Sequence, residues 1–467
     1  MRRQSSLGRP FDALAVGEIV RLTFHGGVAE IGGNKILLED RDARLWLDMG
    51  QSFSFGKDYF VDPYLNPRNR FGLRDYFALD LLPKIPGLYS QEELSPTDFP
   101  WERPAFSGIS ISHIHFDHIN HLQFVDPEIP VFLGEGTRIM LDSWMTTAHG
   151  MDLGPHAWKT FRTGRSLAVD GVEIEPIHVD HSAPAAYGFL IHTSEGTIAY
   201  TGDLRRHGPH AQMTDDFESA AKKAKPIALI TEGTRVAPSE NRQQFSEAEV
   251  RAGAPEHIRA AKDKLVLVTF YPRDVDRIKT FHAVAQETGR QFVLSAKTAH
   301  LLYSMKKDTR IQVPDVLRDP NILVYFRQLS REDTWEKDLK AKVASRAVDA
   351  TYVNRHQGVL MLQLDFYQLT ELVDLKPDAG SVFLHSKSEP FDEEDVSGVV
   401  QENWAKRYAL RMVQLHASGH CSEPEVRDLV RTIAPKTVVP VHTEYPDRFV
   451  NFGPRVMQPS YRGTLEL

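Results

Sequence analysis

Cysteine is almost missing from this chain: Cys421 is the single one in 467 residues. One thiol excludes a disulfide framework and an all-cysteine zinc site, and it favours a reducing compartment. Runs of about 18 to 20 apolar residues, which a membrane span needs, are also missing. The N-terminal MRRQSSLGRPFD is basic but has no apolar core, so it does not predict a secretory signal. We therefore expect a cytoplasmic protein with no membrane partner.

An excess of positive charge is lacking as well. The sequence has 63 acidic residues against 55 basic ones, which gives a net charge of −8. A simple electrostatic binder of duplex nucleic acid would be basic. Bound dications, however, add positive charge where carboxylates cluster, so the balance does not exclude a metal-dependent enzyme that acts on a polyanion. The spacing of the 20 histidines is therefore informative.

The order of strands and helices predicts three segments. A chain of this length exceeds one compact core. Up to about residue 235 it reads as short apolar strands, among them VFLG (131–134), VEIEPIHV (172–179) and PIALITEG (226–233). From 236 to 392 strands alternate with helices, which predicts a parallel α/β unit. A helix near 396–413 and a strand, TVVPVH (437–442), follow. We predict units at 1–235, 236–392 and 393–467.

Two stretches have no chemical assignment from the sequence. Residues 50–105 form a long polar and aromatic connection, and connections of this length usually carry short elements or a function. The glycines of HGGVAEIGGN (25–34) suggest a phosphate-binding loop, but the spacing does not match a P-loop and no Gly-Lys-Ser/Thr follows. We favour a tight turn between strands there.

The main chemical signal is an H-x-H-x-D-H motif after an apolar strand, formed by His113, His115, Asp117 and His118. In an extended chain, residues two apart point the same way, so His113 and His115 can reach one metal together. A turn after His115 would carry Asp117 and His118 toward a second metal. Imidazole and carboxylate suit zinc, with manganese as the alternative. An accidental histidine cluster in a polar loop is the less favoured interpretation, because histidine is rare.

Three further ligand candidates each follow an apolar strand: His181 in VDHSAP, Asp203 in AYTGDL and His442 in VVPVHTE. Functional groups at strand ends that face one edge form a site on a rigid scaffold. His178 competes with His181, but it lies inside its strand, so we favour His181. These residues and the motif together predict a site for two metals.

The whole pattern resembles the metallo-β-lactamase superfamily over almost the entire chain. The resemblance implies an α/β fold of the αββα sandwich type, with two Zn²⁺, or Mn²⁺, at one sheet edge and a bridging hydroxide. It divides the ligands into two groups bridged by Asp203: His113, His115 and His181; and Asp117, His118 and His442. Asp48 in WLDMG matches an acid at a strand end that supports the site without binding metal.

The long interval between Asp203 and His442 refines this resemblance, because an inserted domain at 236–392 would explain it. The arrangement resembles the β-CASP nuclease group, and the ribonuclease J family in particular. Glu232 in ITEGTR and His420 in ASGHC match two further motifs, and TFYPRDVDRI (269–278) matches the start of the inserted domain. The resemblance implies that His420 is a general acid at the scissile phosphate and that Glu232 orients it. A surface histidine and a turn-capping acid are the alternatives.

The sequence also departs from the ribonuclease J pattern. Gly233 stands where a serine is usual, and Arg235 stands where an asparagine is expected. Thr234 or Thr231 would then contact the substrate, together with Ser418 and His420. We also consider Arg205, Arg206, Arg277 and Lys387 as contacts for backbone phosphates, although a solvated basic turn explains the first two equally well. The chain matches the short form, without the C-terminal domain of many bacterial members.

The leading hypothesis is a metal-dependent phosphodiesterase that cuts single-stranded RNA from the 5′ end, internally, or both. Its catalytic residues would be Asp117, Asp203, Glu232 and His420. A DNA nuclease of repair or defence is the first alternative, because of the departures above and the long 50–105 segment. A small-molecule metallo-hydrolase is the second, although such a substrate needs no inserted domain. The complete ligand set argues against a non-catalytic partner protein, and the resemblance also allows a homodimer.

Overall fold

The computed structural model describes residues 19–61, 64–148, 151–240, 242, 244–388 and 396–467. The N-terminal MRRQSSLGRPFD and the predicted boundary between 392 and 393 lie outside these ranges. Strands in the described residues form three seven-stranded sheets. None of the helices in these ranges combines the length and the apolar character that crossing a bilayer requires.

The strands are, in chain order, β1 (Arg21–Phe24), β2 (Ile36–Asp40), β3 (Ala43–Leu47), β4 (Gly108–Ser110), β5 (Val131–Gly134), β6 (Trp158–Phe161), β7 (Leu167–Val169), β8 (Val172–Val179), β9 (Ala186–Thr193), β10 (Gly196–Tyr200), β11 (Ala228–Thr231), β12 (Val266–Thr269), β13 (Gln291–Ser295), β14 (Ile322–Tyr325), β15 (Ala347–Val348), β16 (Leu360–Gln363), β17 (Val382–His385), β18 (Arg411–Gln414), β19 (Thr437–Pro440), β20 (Arg455–Val456) and β21 (Thr464–Glu466).

The α-helices are α1 (Arg74–Ala78), α2 (Gln91–Leu94), α3 (Phe116–Ile119), α4 (Glu135–Thr147), α5 (Ala211–Ala224), α6 (Glu247–Ala260), α7 (Val275–Glu287), α8 (Ala296–Met305), α9 (Thr334–Val343), α10 (Ala350–Arg355), α11 (Leu372–Leu375), α12 (Val396–Arg407) and α13 (Glu423–Ile433). Short 3₁₀ turns occupy Asn69–Phe71, Asn120–Phe124, Ala344–Arg346, Gln357–Val359, Phe366–Glu371 and Pro446–Asn451.

Two of the sheets pack face to face. The first has the order β21-β1-β2-β3-β4-β5-β6, and the second has the order β20-β19-β11-β10-β9-β8-β7. Their inner faces share one core, in which Phe24, Leu38, Phe189 and Ile230 are fully buried. Helix α4 covers the outer face of the first sheet, and α5 with α13 covers that of the second. The predicted αββα sandwich is therefore confirmed.

The third sheet is entirely parallel, with the order β15-β14-β13-β16-β12-β17-β18. Its central strands read as continuous apolar runs such as VLVT and ILVY, because helices and turns cover both faces. Strand β18 pairs with β17, beyond the predicted boundary at 392. The limits of the three units remain proposals, and this pairing favours an end of the inserted unit near Gln414.

Residues 50–105 pack onto the outer face of the first sheet. Leu73, Phe77, Leu88 and Tyr89 of this segment are buried in one cluster with α4 residues and with β4 and β5. The Tyr89 hydroxyl donates to the Pro83 carbonyl at 2.5 Å. The segment therefore covers the sheet that carries the H-x-H-x-D-H motif. Its apolar side chains form part of the core on the outer face of that sheet.

Candidate metal centre

Four strand ends bring the predicted ligands to one edge of the sandwich. His113 follows β4, His181 follows β8, Asp203 follows β10 and His442 follows β19. Strands β10, β11 and β19 are parallel neighbours, so the chain leaves all three at the same edge. Each of these four residues is at most 2% exposed. The ligands thus lie on rigid elements.

The backbone of the H-x-H-x-D-H motif changes from extended to helical at the start of α3. His115 has extended backbone angles, φ −67° and ψ 149°, and it is the residue before the helix. Asp117 and His118 lie in the first turn of α3 and are buried. The change from extended to helical backbone directs these two side chains away from the His113–His115 pair.

The glycine-rich segment 25–34 presses against this motif. Gly32 has a φ of +78°, and a Cβ on it would lie 2.7 Å from Asp117 Oδ2. The Gly33 amide donates to the Asp117 carbonyl at 3.0 Å. Glycine is therefore required for close approach to Asp117. The connection from β1 to β2 is a run of bends, longer than the tight turn that the sequence predicted.

The predicted ligands form two groups that meet at Asp203: His113, His115, His181 and Asp203; and Asp117, His118, Asp203 and His442. A third possible group joins Asp203 to Glu232 and His420. In the first group, His115 Nδ1 lies 3.0 Å from His113 Nε2 and 2.9 Å from His181 Nε2. In the second, Asp117 Oδ2 lies 2.9 Å from His442 Nε2. All seven residues that the sequence predicted as ligands lie together, and Asp203 belongs to both groups.

The donor atoms of these groups suit dications. Among the described residues, Asp203 Oδ1 and His118 Nε2 are buried without a hydrogen-bond partner. A buried polar atom without a partner costs about 1–3 kcal/mol, and a bound cation would satisfy both atoms. Imidazole nitrogen with carboxylate oxygen is the donor set that zinc and manganese accept.

The three histidines of the first group are held neutral. Burial, followed by the charge of His118, lowers the pKa of His113 well below its usual value. Burial lowers the pKa of His115 to about 4, and burial with His115 lowers that of His181 well below its usual value. Neutral imidazole is the form that binds a metal.

The second group is a balanced cluster of opposite charges. Burial opposes a charge on His442, but Asp203 and Asp117 outweigh it and raise its pKa to about 9. Burial also opposes a charge on His118, yet Asp203 and Asp48 raise its pKa well above the usual value. Against burial, His442 and His118 hold the pKa of Asp203 well below its usual range. The two groups therefore differ in charge although they share Asp203.

Asp48 fixes the orientation of His118 from outside the group. Asp48 has a φ of 58°, and its carboxylate lies 2.8 Å from His118 Nδ1. It also accepts hydrogen bonds from the Ser112 amide at 2.7 Å and the Tyr200 hydroxyl at 2.5 Å. Because Asp48 contacts Nδ1, the Nε2 atom of His118 faces Asp203.

Glu232 connects the second group to His420. Both carboxylate oxygens of Glu232 lie 3.0 Å from His420 Nδ1, and Oε1 accepts the Leu204 amide at 3.0 Å. The Thr234 hydroxyl donates to Glu232 Oε2 at 2.6 Å and lies 2.8 Å from His442 Nδ1. Thr234 thus contacts a predicted ligand as well as Glu232. His420 keeps 22% of its side chain exposed.

A cavity of about 210 Å³ opens on this edge. Thr234, Ser418 and His420, the predicted substrate contacts, all line it. Sequence reasoning missed other lining residues: Phe53, Ser182, Arg242, Tyr271, Arg273, Ser388 and His416. Tyr271 and Arg273 lie in the quoted TFYPRDVDRI motif, which was the one available signal for them. The cavity combines cations with aromatic rings beside the ligand groups.

Gly233 has a structural explanation. A Cβ at this position would lie 2.7 Å from Cζ of Phe449 and 3.1 Å from Cβ of Thr443. The serine that is usual in the ribonuclease J pattern would therefore require the Phe449 ring to move. The neighbouring Arg235 points to the cavity, and its guanidinium donates to the Arg242 carbonyl at 3.2 Å.

Two arginines that the sequence suggested as phosphate contacts are fully buried, so that interpretation is wrong for them. Arg205 donates to Asp180 at 3.0 Å and to Glu247 at 3.1 Å. Arg277 donates to Glu247 at 2.7 Å and to the Ala417 carbonyl at 3.1 Å. We call the side chains of Arg205, Arg277, Asp180, Glu247 and Asp276 the Glu247 cluster. It joins the sandwich to the unit of the third sheet.

His178, the competitor of His181, lies outside both ligand groups. Its ring stacks on Tyr187, with centroids 4.4 Å apart and an interplanar angle of 8°.

Comparisons with known proteins agree with this geometry. Residues 80–269 match a family model described as a beta-lactamase superfamily domain. Residues 407–448 match a model described as a Zn-dependent metallo-hydrolase RNA specificity domain. A crystal structure of a protein of unknown function from Enterococcus faecalis V583 has the same fold, with a TM-score of 0.77 and 21% identity over 96% of this chain and 100% of that one.

The sandwich, the inserted parallel sheet and these matches support a protein that resembles the β-CASP group of the metallo-β-lactamase superfamily. Within that group it is similar to proteins named Ribonuclease J. It is 24% identical to the one from Helicobacter pylori strain B128 over 434 residues, which are 91% of this chain and 56% of that protein. For Pyrococcus abyssi the identity is 26% over 375 residues, 75% of this chain and 77% of the relative. The chain thus spans little more than half of the Helicobacter protein.

Proposed function

We propose that this protein is a metal-dependent ribonuclease that hydrolyses phosphodiester bonds of single-stranded RNA, from the 5′ end, internally, or both. One observation carries the proposal. Seven ligand residues and the His420–Glu232 pair meet at a cavity that also carries arginines and aromatic rings. Similarity to proteins named Ribonuclease J, and to a domain named for RNA specificity, supports RNA as the substrate.

The two ligand groups would hold two Zn²⁺, or Mn²⁺, with Asp203 shared between them. Such ions, when bound, polarise a phosphodiester and lower the pKa of an attacking water toward neutrality. Asp203 is central to this arrangement because its buried charge offsets part of the charge of both ions. Asp48 keeps His118 in the tautomer whose Nε2 is free to bind, a role that carboxylates often have next to metal ligands.

His420 is the proposed general acid. Glu232 accepts a hydrogen bond from Nδ1–H, so His420 acts as an acid in its doubly protonated form, in which Nε2 also carries a proton. Water attacks phosphorus and releases a proton to solvent, the bond from phosphorus to the 3′ oxygen breaks, and the Nε2 proton passes to the departing 3′ oxygen. The products are a free 3′ hydroxyl and a 5′ phosphate. Glu232 then acts as a positioning residue, since it touches neither phosphorus nor the leaving oxygen.

Substrate binding is proposed for the mouth of the cavity. Arg235, Arg242 and Arg273 line it and can contact phosphates, whereas Phe53 and Tyr271 can stack on bases. Stacking and phosphate contacts do not depend on base identity, so we propose little sequence preference. Ser418 contributes by accepting the His420 amide at 3.1 Å, which fixes the loop that carries the acid.

The test is cleavage of 5′-labelled single-stranded RNA and DNA of one sequence, with Zn²⁺ or Mn²⁺ added. The inactive comparison is Asp117→Ala/His118→Ala. A matched control, Glu256→Ala/His257→Ala, removes a neighbouring acid–histidine pair on α6, outside both ligand groups. We expect RNA loss with wild type and control but not with the first variant, and the product ladder distinguishes terminal from internal cutting.

Two outcomes would redirect the proposal. Cleavage of DNA alone would make the protein a DNA nuclease on the same scaffold. No cleavage of either polymer, with metal shown to be bound, would leave a small-molecule hydrolase. A cytoplasmic location and a homodimer also remain proposals, the second of which light scattering of the purified chain would test.

A further inference from the structure

A second cavity, of about 350 Å³, lies between the sandwich and the unit of the third sheet. It shares no lining residue with the cavity of the metal centre. The segment that carries His181 separates the two, because Ser182 lines the first cavity and Ala183 lines the second. Cavities of this size at a junction between units are typical of small-molecule sites.

An aromatic pair forms one wall of this cavity. His178 and Tyr187 both line it, and their rings are stacked at 4.4 Å. Burial, followed by the charge of Arg162, lowers the pKa of His178 to about 4, so its ring is neutral near pH 7. A neutral stacked pair at a cavity wall suits a flat heterocycle, because base–aromatic stacking does not require a particular base.

The Tyr187 hydroxyl is the second observation that points to a ligand. Tyr187 is 1% exposed, and its hydroxyl has no hydrogen-bond partner among the described residues. Buried tyrosine hydroxyls usually have such a partner. A polar ligand atom in the cavity would supply it.

The charges around the cavity favour an anion. Lys279 and the exposed Arg310 line it from the side of the third sheet, and Arg162 lines it from the sandwich. The acids in its wall, Asp180 and Asp276, both lie within ion-pair distance of Arg205. Lys279 also donates to Asp276 at 3.2 Å, and Arg162 donates to Glu135 and Asp308. The exposed Arg310 is therefore the cation that the cavity offers to a phosphate.

We propose that this cavity binds a nucleoside 5′-monophosphate. The base would stack on His178, the Tyr187 hydroxyl would bond a polar atom of the ligand, and Arg310 with Lys279 would face the phosphate. The choice of this ligand over other aromatic anions rests on the proposed function, since cleavage that leaves a 5′ phosphate releases such nucleotides. Because both units line the cavity, the nucleotide would hold them together.

The test is calorimetric binding of 5′-AMP to the full chain, with adenosine and inorganic phosphate as separate probes. We expect Tyr187→Phe, which keeps the packing, and Arg310→Gln each to weaken AMP binding about fivefold, the effect of one lost hydrogen bond or charge contact. Arg318→Gln, an exposed arginine outside the cavity, should bind AMP as wild type does. Adenosine and phosphate alone should each bind at least about tenfold more weakly than AMP.

Three results would overturn the assignment. The first is unchanged AMP affinity in both cavity variants. The second is loss of AMP binding in His420→Ala instead, which would locate the nucleotide at the metal centre. The third is phosphate bound as tightly as AMP. Since binding is measured without cleavage, failure of the ribonuclease proposal would be seen separately.

Discussion

Two clusters of charged side chains are buried in this molecule, and they differ in the kinds of polar atom that they bring together. In the Glu247 cluster, arginine donors face carboxylate and carbonyl acceptors. In the metal centre, imidazole nitrogens and carboxylates converge on each other, and Asp203 Oδ1 has no partner among the described residues. Buried charge alone therefore does not mark a functional site. The Glu247 cluster contains arginine cations and connects two units, whereas the metal centre contains ligand atoms that are suited to bind a cation.

The largest effect is expected at Asp203. Asp203→Asn keeps the shape but removes the charge shared by both ligand groups. We expect both metals to be lost and RNA cleavage to fall roughly a thousandfold, because metal-ion catalysis supplies several kcal/mol. Elemental analysis and single-turnover cleavage measure the two effects. Full metal content in the variant would contradict the bridging role.

A change in the Glu247 cluster should lower the stability of the fold instead. Glu247→Gln leaves Arg205 and Arg277 without their shared carboxylate. Breaking a buried ion pair on one side costs about 3–5 kcal/mol. Urea denaturation of the metal-free chain measures this loss, with the exposed Glu256→Gln on the same helix as the control. A variant that is as stable as wild type would show that the two clusters do not differ in this way.

The third prediction separates the general acid from the residue that positions it. His420→Ala should lower the rate of the cleavage step about a hundredfold or more. Glu232→Gln should lower it about 10–100-fold and, unlike a change in packing, should alter the pH–rate profile. Metal content should stay at the wild-type value in His420→Ala. A good leaving group departs without a proton. If His420 acts as an acid, His420→Ala should therefore cleave a substrate with such a leaving group at the wild-type rate.

The fourth prediction tests whether Asp48 supports only the ligand group that contains His118. Asp48→Asn weakens the contact that orients His118, and such supporting carboxylates contribute about 10–100-fold in metal affinity. We expect weaker binding of one metal only, measured by stepwise titration of the metal-free protein. Equal weakening of both metals would mean that Asp48 supports the whole centre.

The smallest effect is a pH dependence in the Glu247 cluster. Burial would raise the pKa of Asp276, but His210, Lys279 and Arg205 lower it to about 2, from 3.8 in the unfolded chain. Its stabilising contribution is present above about pH 4 and is lost as the pH falls toward 2, a change of about 2 kcal/mol. The free energy of unfolding of Asp276→Asn, compared with that of wild type across this pH range, isolates the contribution of Asp276. Parallel stability curves would contradict the assignment.

Much of the sandwich could be predicted because its strands follow simple patterns. VFLG and VEIEPIHV coincide with β5 and β8, and the ligand residues follow strand ends as expected. The predicted helix near 396–413 was wrong at its end, since α12 stops at Arg407 and β18 follows. Strand β18 is partly exposed and pairs with β17 alone, so its sequence lacks the apolar run that marks buried strands.

The cavities could not be predicted in the same way. Arg242, Tyr271 and Phe53 meet only because three separate loops converge, and no local spacing carries that information. Arg205 and Arg277 show the opposite error, because a basic residue near a motif suggests a phosphate contact until its burial is known. The sequence thus defines ligands at strand ends well, but not the surfaces between units.

The position of β19 in the second sheet has a consequence for how the protein is made. The strand lies beside β11, although the whole unit of the third sheet separates them along the chain. Folding during synthesis proceeds from the N-terminus, so the ribosome exposes six of the ligand residues long before His442. The nascent chain therefore has one complete ligand group and one incomplete group. By this reasoning, the second ligand group can be completed only after the inserted unit and β19 have been translated.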